Sequence, residues 1–470
     1  MSVAIVWFRN NLRLHDNESL TKALKNHSIV IPFYCFDEIL FSTTKFGYPK
    51  IGVHRAQLLI ESVQNLRENL RKVGSDLVIR VGNTASYLKH LSLETNATTI
   101  YTQKEITFEE VELERRVERV FNGSIEYAYD AFLFHPDDIP FALEDTPFIF
   151  TSFRKLLERN TSIRPCIALP SKLNNLSNRI QKGTIPSLND FKFSNPIKDN
   201  RSVLAFKGGE DEANNRLNHY FYESQELLLY KEKRNGLIGA DYSSKLSVWL
   251  WNGCISPRHI YWEVKRFEHE YYSNDSTYWL IFELIWRDFF KYTALKNGNK
   301  IFHSYGINGH QNLVNPNPEF VNAWIRGKTG IPFIDANMRE LAATGFMSNR
   351  GRQNVASFFV KELQQDWRVG AEYFESMLLD YDVCSNYGNW MYIAGVGNDS
   401  RDRFFNVILQ AKNYDSQGEF VRLWIPELNN VEKKEVHHPW ASPKTLFNHL
   451  DVVDYPKLII LPPDYWKKHY

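Results

Sequence analysis

Val53-His-Arg-Ala-Gln-Leu-Leu-Ile-Glu-Ser-Val-Gln-Asn-Leu-Arg-Glu-Asn-Leu-Arg-Lys-Val73, followed by Leu77-Val-Ile-Arg-Val81, decides the fold class. In the first stretch Leu59, Val63, Leu66, Leu70 and Val73 recur at spacings of four, three, four and three, which is one face of a helix. The second is a short apolar run of strand length. The same beat extends outward, with strands predicted at Val3–Phe8, Ile29–Phe36, Thr99–Thr102 and Ile125–Tyr129 and helical patterns between them. Strand–helix alternation predicts a doubly wound parallel sheet with helices on both faces. Ligands of such sheets sit beyond the carboxyl ends of the strands.

The chain has 470 residues, too many for one hydrophobic core. The expected division is an α/β domain over 1–130, a connector over 131–203 and an all-α domain over 204–470. The connector is marked by Ser, Asn, Lys and Pro between Pro170 and Arg201, and the tail after Pro426 is poorly patterned. The apolar share, 43%, is that of a globular protein. No apolar run approaches the roughly 20 residues of a membrane helix, so no membrane partner is expected. The sequence enters Val3–Phe8 without a signal or transit segment, which suggests a cytoplasmic location; a monomer is expected. Cys35, Cys166, Cys254 and Cys384 lie far apart, with no C-x-x-C pair, so no metal site is expected. Net charge is +1, so a bound polyanion would need local basic patches. The 12 tryptophans either fill core or stack on a flat ligand.

Two tempting motifs fail. Gly327-Lys-Thr329 ends like a phosphate-binding loop, but Asn322 stands where the leading glycine belongs. Gly395-Val-Gly397 begins like a dinucleotide fingerprint, but Ser400 replaces the third glycine. Three other segments carry more. In Glu283-Leu-Ile-Trp286-Arg287-Asp-Phe-Phe290 an acid, an indole and a guanidinium share one helical face. That set can stack a base, bond its edge and grip a phosphate; taken alone it reads more readily as a helix ion pair beside a core tryptophan. Met347-Ser-Asn349-Arg350-Gly-Arg352-Gln353-Asn354 puts Asn349 and Gln353 four apart with two arginines, which suits a polar anionic heterocycle or a solvated basic turn. Asp380-Tyr-Asp382-Val-Cys-Ser-Asn386-Tyr-Gly-Asn-Trp390 alternates two acids and then places an amide and an indole four apart. No glycine or terminal glutamate follows at calcium-loop spacing.

In order and spacing these segments resemble the photolyase/cryptochrome family. Trp7-Phe-Arg-Asn-Asn-Leu-Arg-Leu-His-Asp-Asn17 is similar to its N-terminal signature, with Asn11 where an acid is usual. Trp324-Ile-Arg-Gly-Lys-Thr-Gly330 and Gly418-Glu-Phe-Val-Arg-Leu-Trp-Ile-Pro-Glu427 complete the series. Tyr230-Lys-Glu-Lys-Arg-Asn-Gly236, Gly239-Ala-Asp-Tyr-Ser-Ser-Lys245, Phe134-His-Pro-Asp-Asp-Ile-Pro-Phe141, Phe150-Thr-Ser-Phe-Arg154, Gln353 and Tyr392 look like its DASH branch.

The resemblance implies an α/β antenna domain, a connector and a helical FAD domain. It places Ser243, Ser244, Lys245, Leu246 and Ser247 at the FAD phosphates, with Tyr230 near that end. It places Arg287, Asn349, Arg352, Asp380, Asp382 and Asn386 around the ring and ribityl chain, with Asn386 at N5. Glu283, Trp286, Asn349, Arg350, Gln353 and Tyr392 would line a cavity for a flipped, UV-damaged pyrimidine pair, with Glu283, Trp286, Asn349 and Asn386 catalytic. Trp390 and Trp367 match the inner two tryptophans of the electron-transfer chain, whereas the outer position is Val314. A 5,10-methenyltetrahydrofolate antenna would take Glu110 as its carboxylate; the same acid is equally a first-turn partner of a helix dipole. The activity implied is light-driven repair of cyclobutane pyrimidine dimers, preferentially in single-stranded DNA. The alternative is a blue-light photoreceptor that signals through flavin redox state without repair.

Overall fold

The computed structural model describes residues 2–174, 176–177, 179–309, 315–399, 404–441 and 455–470. Five strands, β1 (Val3–Trp7), β2 (Ile29–Asp37), β3 (Val78–Gly82), β4 (Thr99–Gln103) and β5 (Ser124–Ala128), form one sheet in the order β3-β2-β1-β4-β5. All neighbours run parallel, with Val3 of β1 opposite Ile29 and Ala4 opposite Thr99. The order reverses between β1 and β4, so their carboxyl ends form the switch point of the sheet.

β1 is apolar on both faces because both faces are covered. Ile5 and Trp7 enter a layer closed by α3 (Thr84–Thr95) and α4 (Phe108–Val120), through Leu88, Leu91 and Val117. Ala4 and Val6 enter the opposite layer, closed by α1 (Glu18–Asn26) and α2 (Val53–Lys72). Leu59, Val63, Leu66 and Leu70 of α2 all face this layer, as their spacing predicts. Asn17 and Asn83 cap α1 and α3 by accepting from the Leu20 and Ser86 N–H groups. The second layer continues without a break into the helical half.

One helix, α5 (Phe150–Asn160), falls inside the segment read from sequence as connector; its four apolar residues sit in a lysine- and arginine-containing run that masks the pattern. Among the described residues the remaining helices are α6 (Glu210–Asn218), α7 (Tyr230–Lys233), α8 (Ser247–Leu250), α9 (Pro257–Glu270), α10 (Asp275–Asn297), α11 (Pro318–Ile325), α12 (Pro332–Thr344), α13 (Asn349–Ser357), α14 (Trp367–Met377), α15 (Val383–Ala394), α16 (Val407–Tyr414), α17 (Glu419–Trp424) and α18 (Asp464–Lys467). The long α10 is the axis of this half and packs against α5, α7, α9 and α15. Its start is set by Asn274, whose side chain accepts from Ser276 N and Thr277 N. Gly395 ends α15 in the left-handed region (φ 76°), and Gly327 (φ 58°) makes a tight turn before Thr329, which closes onto Asp335. Both glycines therefore serve turns.

Buried charges bolt the halves together. The Asp16 carboxylate accepts from Ser256 Oγ at 2.6 Å and from Arg258 Nε and Nη2 at 2.9 Å each. Asp288 of α10 accepts from the N–H groups of Leu133 and Phe134 at the end of the sheet segment. Among the described residues no helix is long and apolar enough to cross a membrane.

Candidate functional site

A cavity of about 490 Å³ opens in the helical half between α8, α10, α13 and α15. Cofactor sites typically occupy roughly 300–1,000 Å³. The cavity has a polar floor, a serine-lined end and an aromatic mouth.

The floor is built from α15 and its approach. Asp382 is the N-cap of α15 and accepts from Ser385 N at 2.9 Å. Its carboxylate lies 3.1 Å from Lys291 Nζ and 3.6 Å from Arg287 Nη2, both projected by α10. Burial opposes its charge, but Lys291 and Arg287 more than offset that and hold its carboxyl well below the usual carboxylate range. Asp380, two residues earlier, accepts from Arg352 Nη2 at 2.9 and 3.0 Å and from Ser247 Oγ at 2.7 Å. Asn386 sits one turn into α15 and donates Nδ2 to Ala371 O at 3.0 Å. A carbonyl cannot face a carbonyl, so this bond fixes the amide and leaves Oδ1 as the free acceptor.

The serine end carries Ser243, Ser244, Lys245, Leu246 and Ser247, with Tyr230 also lining it. Arg216 of α6 shapes this loop by donating to the carbonyls of Ala240, Ser243 and Ser244. Lys245 is 3% exposed, adopts a left-handed backbone (φ 58°) and holds Nζ 3.3 Å over the Tyr242 ring. Among the described residues Nζ has no hydrogen-bond partner. Burial lowers its pKa to about 6, with Arg216 pushing the same way and Glu340 pulling back. Glu340, whose Oε2 is likewise unpartnered among the described residues, is pushed up to about 8 by burial against the pull of Lys245 and Arg352. A buried amine without a partner beside three serine hydroxyls is a place for an anion, which would draw a proton onto it.

The mouth is set by α10 and α13. Trp286 stacks on Phe150 at 3.6 Å with an interplanar angle of 8°, and meets Tyr392 edge-on at 5.7 Å. Phe150 belongs to α5, so the unforeseen helix backs this wall. Glu283, one turn before Trp286, pairs with Arg234 Nη1 at 2.6 Å. Burial raises its pKa, while Arg234 and Trp279 pull it down. Asn349 opens α13 and lines the cavity with Gln353 one turn later; Gln353 Oε1 has no partner among the described residues. Arg350 donates to Asn235 Oδ1 at 3.0 Å and lies 4.5 Å over the Tyr414 ring.

Thus Tyr230, the 243–247 loop, Glu283, Trp286, Arg287, Asn349, Arg350, Arg352, Gln353, Asp380, Asp382, Asn386, Trp390 and Tyr392 all line one cavity. Trp367 and Glu110 lie outside it. Trp367 opens α14 and donates to Ser304 O at 3.1 Å, with its ring 6.0 Å from Tyr387. Trp390 packs on Phe374 at 5.2 Å and on Trp324 at 6.3 Å. Glu110 stands in the first turn of α4, accepts from Thr107 Oγ1, and gives its carbonyl to Arg9 Nη2. Val314 lies outside the described residues. Sequence reasoning missed Arg216, Arg234, Lys291 and Glu340. Only Lys291 carried a local signal, one helical turn after Arg287 on the α10 face.

A doubly wound sheet joined to a helical half with a polar, aromatic-walled cavity is the architecture of a cofactor-binding protein. Residues 4–171 match the family described as DNA photolyase, and residues 279–463 match the FAD binding domain of DNA photolyase. The chain is 48% identical over 461 residues to Cryptochrome DASH of Synechocystis sp., covering 96% of this chain and 94% of that one. It is 45% identical to Cryptochrome DASH of Xenopus laevis, covering 99% and 91%. Its fold is similar to the crystal structure of a Synechocystis sp. cryptochrome, with a TM-score of 0.96, 46% identity and coverage of 100% and 98%. A bacterial class III photolyase from Agrobacterium tumefaciens matches with a TM-score of 0.83, 26% identity and coverage of 100% and 96%. The chain belongs to the photolyase/cryptochrome family, and within it to the DASH cryptochromes.

The donor set fits the FAD that this family binds. The orphaned Lys245 amine and the serine hydroxyls suit a pyrophosphate, and the Arg352–Asp380 pair with the Asn386 acceptor suits a polar ring edge.

Proposed function

We propose that this chain repairs cyclobutane pyrimidine dimers in light, preferentially in single-stranded DNA. The observation that carries the proposal is that one cavity is lined both by the floor residues Asp380, Asp382 and Asn386 and by the mouth residues Glu283, Trp286 and Tyr392. FAD bound by these residues would supply the chemistry, a light-driven one-electron exchange with the dimer.

The chain's own residues position and polarise. Ser243, Ser244, Lys245, Leu246, Ser247 and Tyr230 hold the phosphate end, while Arg287, Asn349, Arg352, Asp380 and Asp382 hold the ring and ribityl end. Asn386, its Nδ2 tied to Ala371 O, would offer Oδ1 to an N–H of the ring edge and does not titrate. Trp286, braced by Phe150, offers a flat face for stacking, and Tyr392 closes the side. Glu283, held by Arg234, reaches the pyrimidine edge, with Asn349 and Gln353 beside it; Arg350 meets the backbone phosphate. Tyr392 presents less ring area than a tryptophan, so stacking repays less of the few kcal/mol that flipping from a duplex costs. Unpaired strands avoid that cost, which favours single-stranded substrate.

Trp390 and Trp367 are proposed as the inner electron-transfer residues. The antenna domain (1–130), connector (131–203) and FAD domain (204–470) would work as a cytoplasmic monomer. A 5,10-methenyltetrahydrofolate antenna is proposed with Glu110, in the first turn of α4, as its carboxylate partner. The test is to illuminate the flavin-loaded protein with dimer-containing single and double strands. Light-dependent dimer loss, faster on single strands, is expected. Flavin reduction without dimer loss would favour a blue-light photoreceptor instead.

A further inference from the structure

Away from the cavity, three side chains with nitrogen and sulfur ligand atoms meet where the loop after β1, the connector and α9 converge. His15, Cys166 and His259 each place one such atom within 4.8 Å of the others, and among the described residues they are the one cluster of this kind. The two imidazole rings meet edge-on at 4.7 Å. We propose that His15, Cys166 and His259 form a binding site for a thiophilic divalent cation, with zinc as the fitting ion.

The trio is positioned by a single buried carboxylate. Asp16, 0% exposed, follows His15 directly. It accepts from Ile167 N at 3.0 Å, next to Cys166, and its own N–H donates to Ile167 O at 2.9 Å. It also accepts from Ser256, the N-cap of α9, and from Arg258, next to His259. Each proposed ligand is therefore one residue from a group tied to the same carboxylate. Such anchoring of neighbours holds metal ligands in place before the ion arrives.

The tautomer of His259 is also set. Asn214 Nδ2 donates to Glu210 O at 3.0 Å, which turns Asn214 Oδ1 toward His259 Nε2 at 3.1 Å. Nε2 therefore carries the proton and Nδ1 carries the lone pair, the arrangement of a ligating histidine whose outer nitrogen is held by a carbonyl. The Cys166 thiol releases its proton to solvent as the sulfur–metal bond forms. Bond lengths of about 2.0–2.3 Å put tetrahedral ligand atoms about 3.5 Å apart, so small side-chain rotations close the trio and leave the fourth position for water. The missing C-x-x-C pair conceals this site in the sequence, because its ligands come from three separate segments.

The test uses the untagged, flavin-loaded chain, stripped with a chelator and titrated with Zn²⁺ against a chromogenic zinc dye. One zinc ion per chain is expected, lost in Cys166→Ser and His259→Ala. No zinc uptake, or equal uptake in both variants, would overturn the proposal. A second readout needs no variant. Cys35, Cys254 and Cys384 are buried, so a thiol-alkylating reagent reaches Cys166 first. Zn²⁺ should slow that alkylation by about tenfold or more, as a metal-held thiolate demands, whereas Mg²⁺ should not. An unchanged alkylation rate would contradict the site.

Discussion

The floor and the mouth of the cavity are built on opposite principles. At the floor, every named charge already has a partner within the protein: Arg352 with Asp380, and Lys291 and Arg287 with Asp382. At the mouth, polar atoms are left open, as Gln353 Oε1 shows, and the wall is aromatic. A paired floor holds its shape with or without a ligand, whereas an open mouth gains only when something enters. The contrast predicts that floor substitutions cost stability and cofactor, and that mouth substitutions cost DNA while the fold survives.

The largest effect should come from Asp382→Asn, which leaves Lys291 and Arg287 buried without a counter-charge. Breaking such a group typically costs about 3–5 kcal/mol. The urea midpoint should fall and flavin should be lost on purification; an unchanged midpoint would break the contrast. Next is Trp286→Ala at the mouth. Base–aromatic stacking is worth about 1–3 kcal/mol, so binding of dimer-containing single strands should weaken by roughly 10-fold to 100-fold. Flavin content and melting should hold, and a parallel loss of flavin would merge the two regions.

The serine end sharpens the comparison through pH. With its pKa lowered to about 6, Lys245 is neutral in the empty cavity at pH 7 and must take up a proton to meet a pyrophosphate. Proton uptake on binding makes FAD affinity fall as pH rises above 6, by up to about tenfold per unit. Lys245→Met should flatten that slope, read by fluorescence titration of the apoprotein. The smallest effect belongs to Arg350→Ala. It should weaken damaged and undamaged single strands alike and reduce the salt slope of binding by about 0.7, one phosphate contact.

How much of this was visible beforehand follows the same divide. The sheet was legible because each strand is a short apolar run and each helix carries a regular stripe, as Leu59 to Leu70 show. The floor and mouth residues were legible as three clusters, since Glu283, Trp286 and Arg287 share a helical face and Asp380 and Asp382 lead into a helix start. Their convergence was not legible from spacing, because it depends on long-range packing. The resemblance to a known family supplied it. Arg216 and Glu340 act from distant helices and left no local mark. The helix Phe150–Asn160 hid in a polar connector, yet its Phe150 backs Trp286.

The account stands most directly on a structure of the flavin-loaded chain with a single-stranded oligonucleotide containing one thymine dimer. It predicts the dimer flipped against Trp286 and Tyr392, in contact with a flavin ring that lies beside Asn386. A dimer bound elsewhere on the surface, or a flavin ring remote from Asn386, would contradict it.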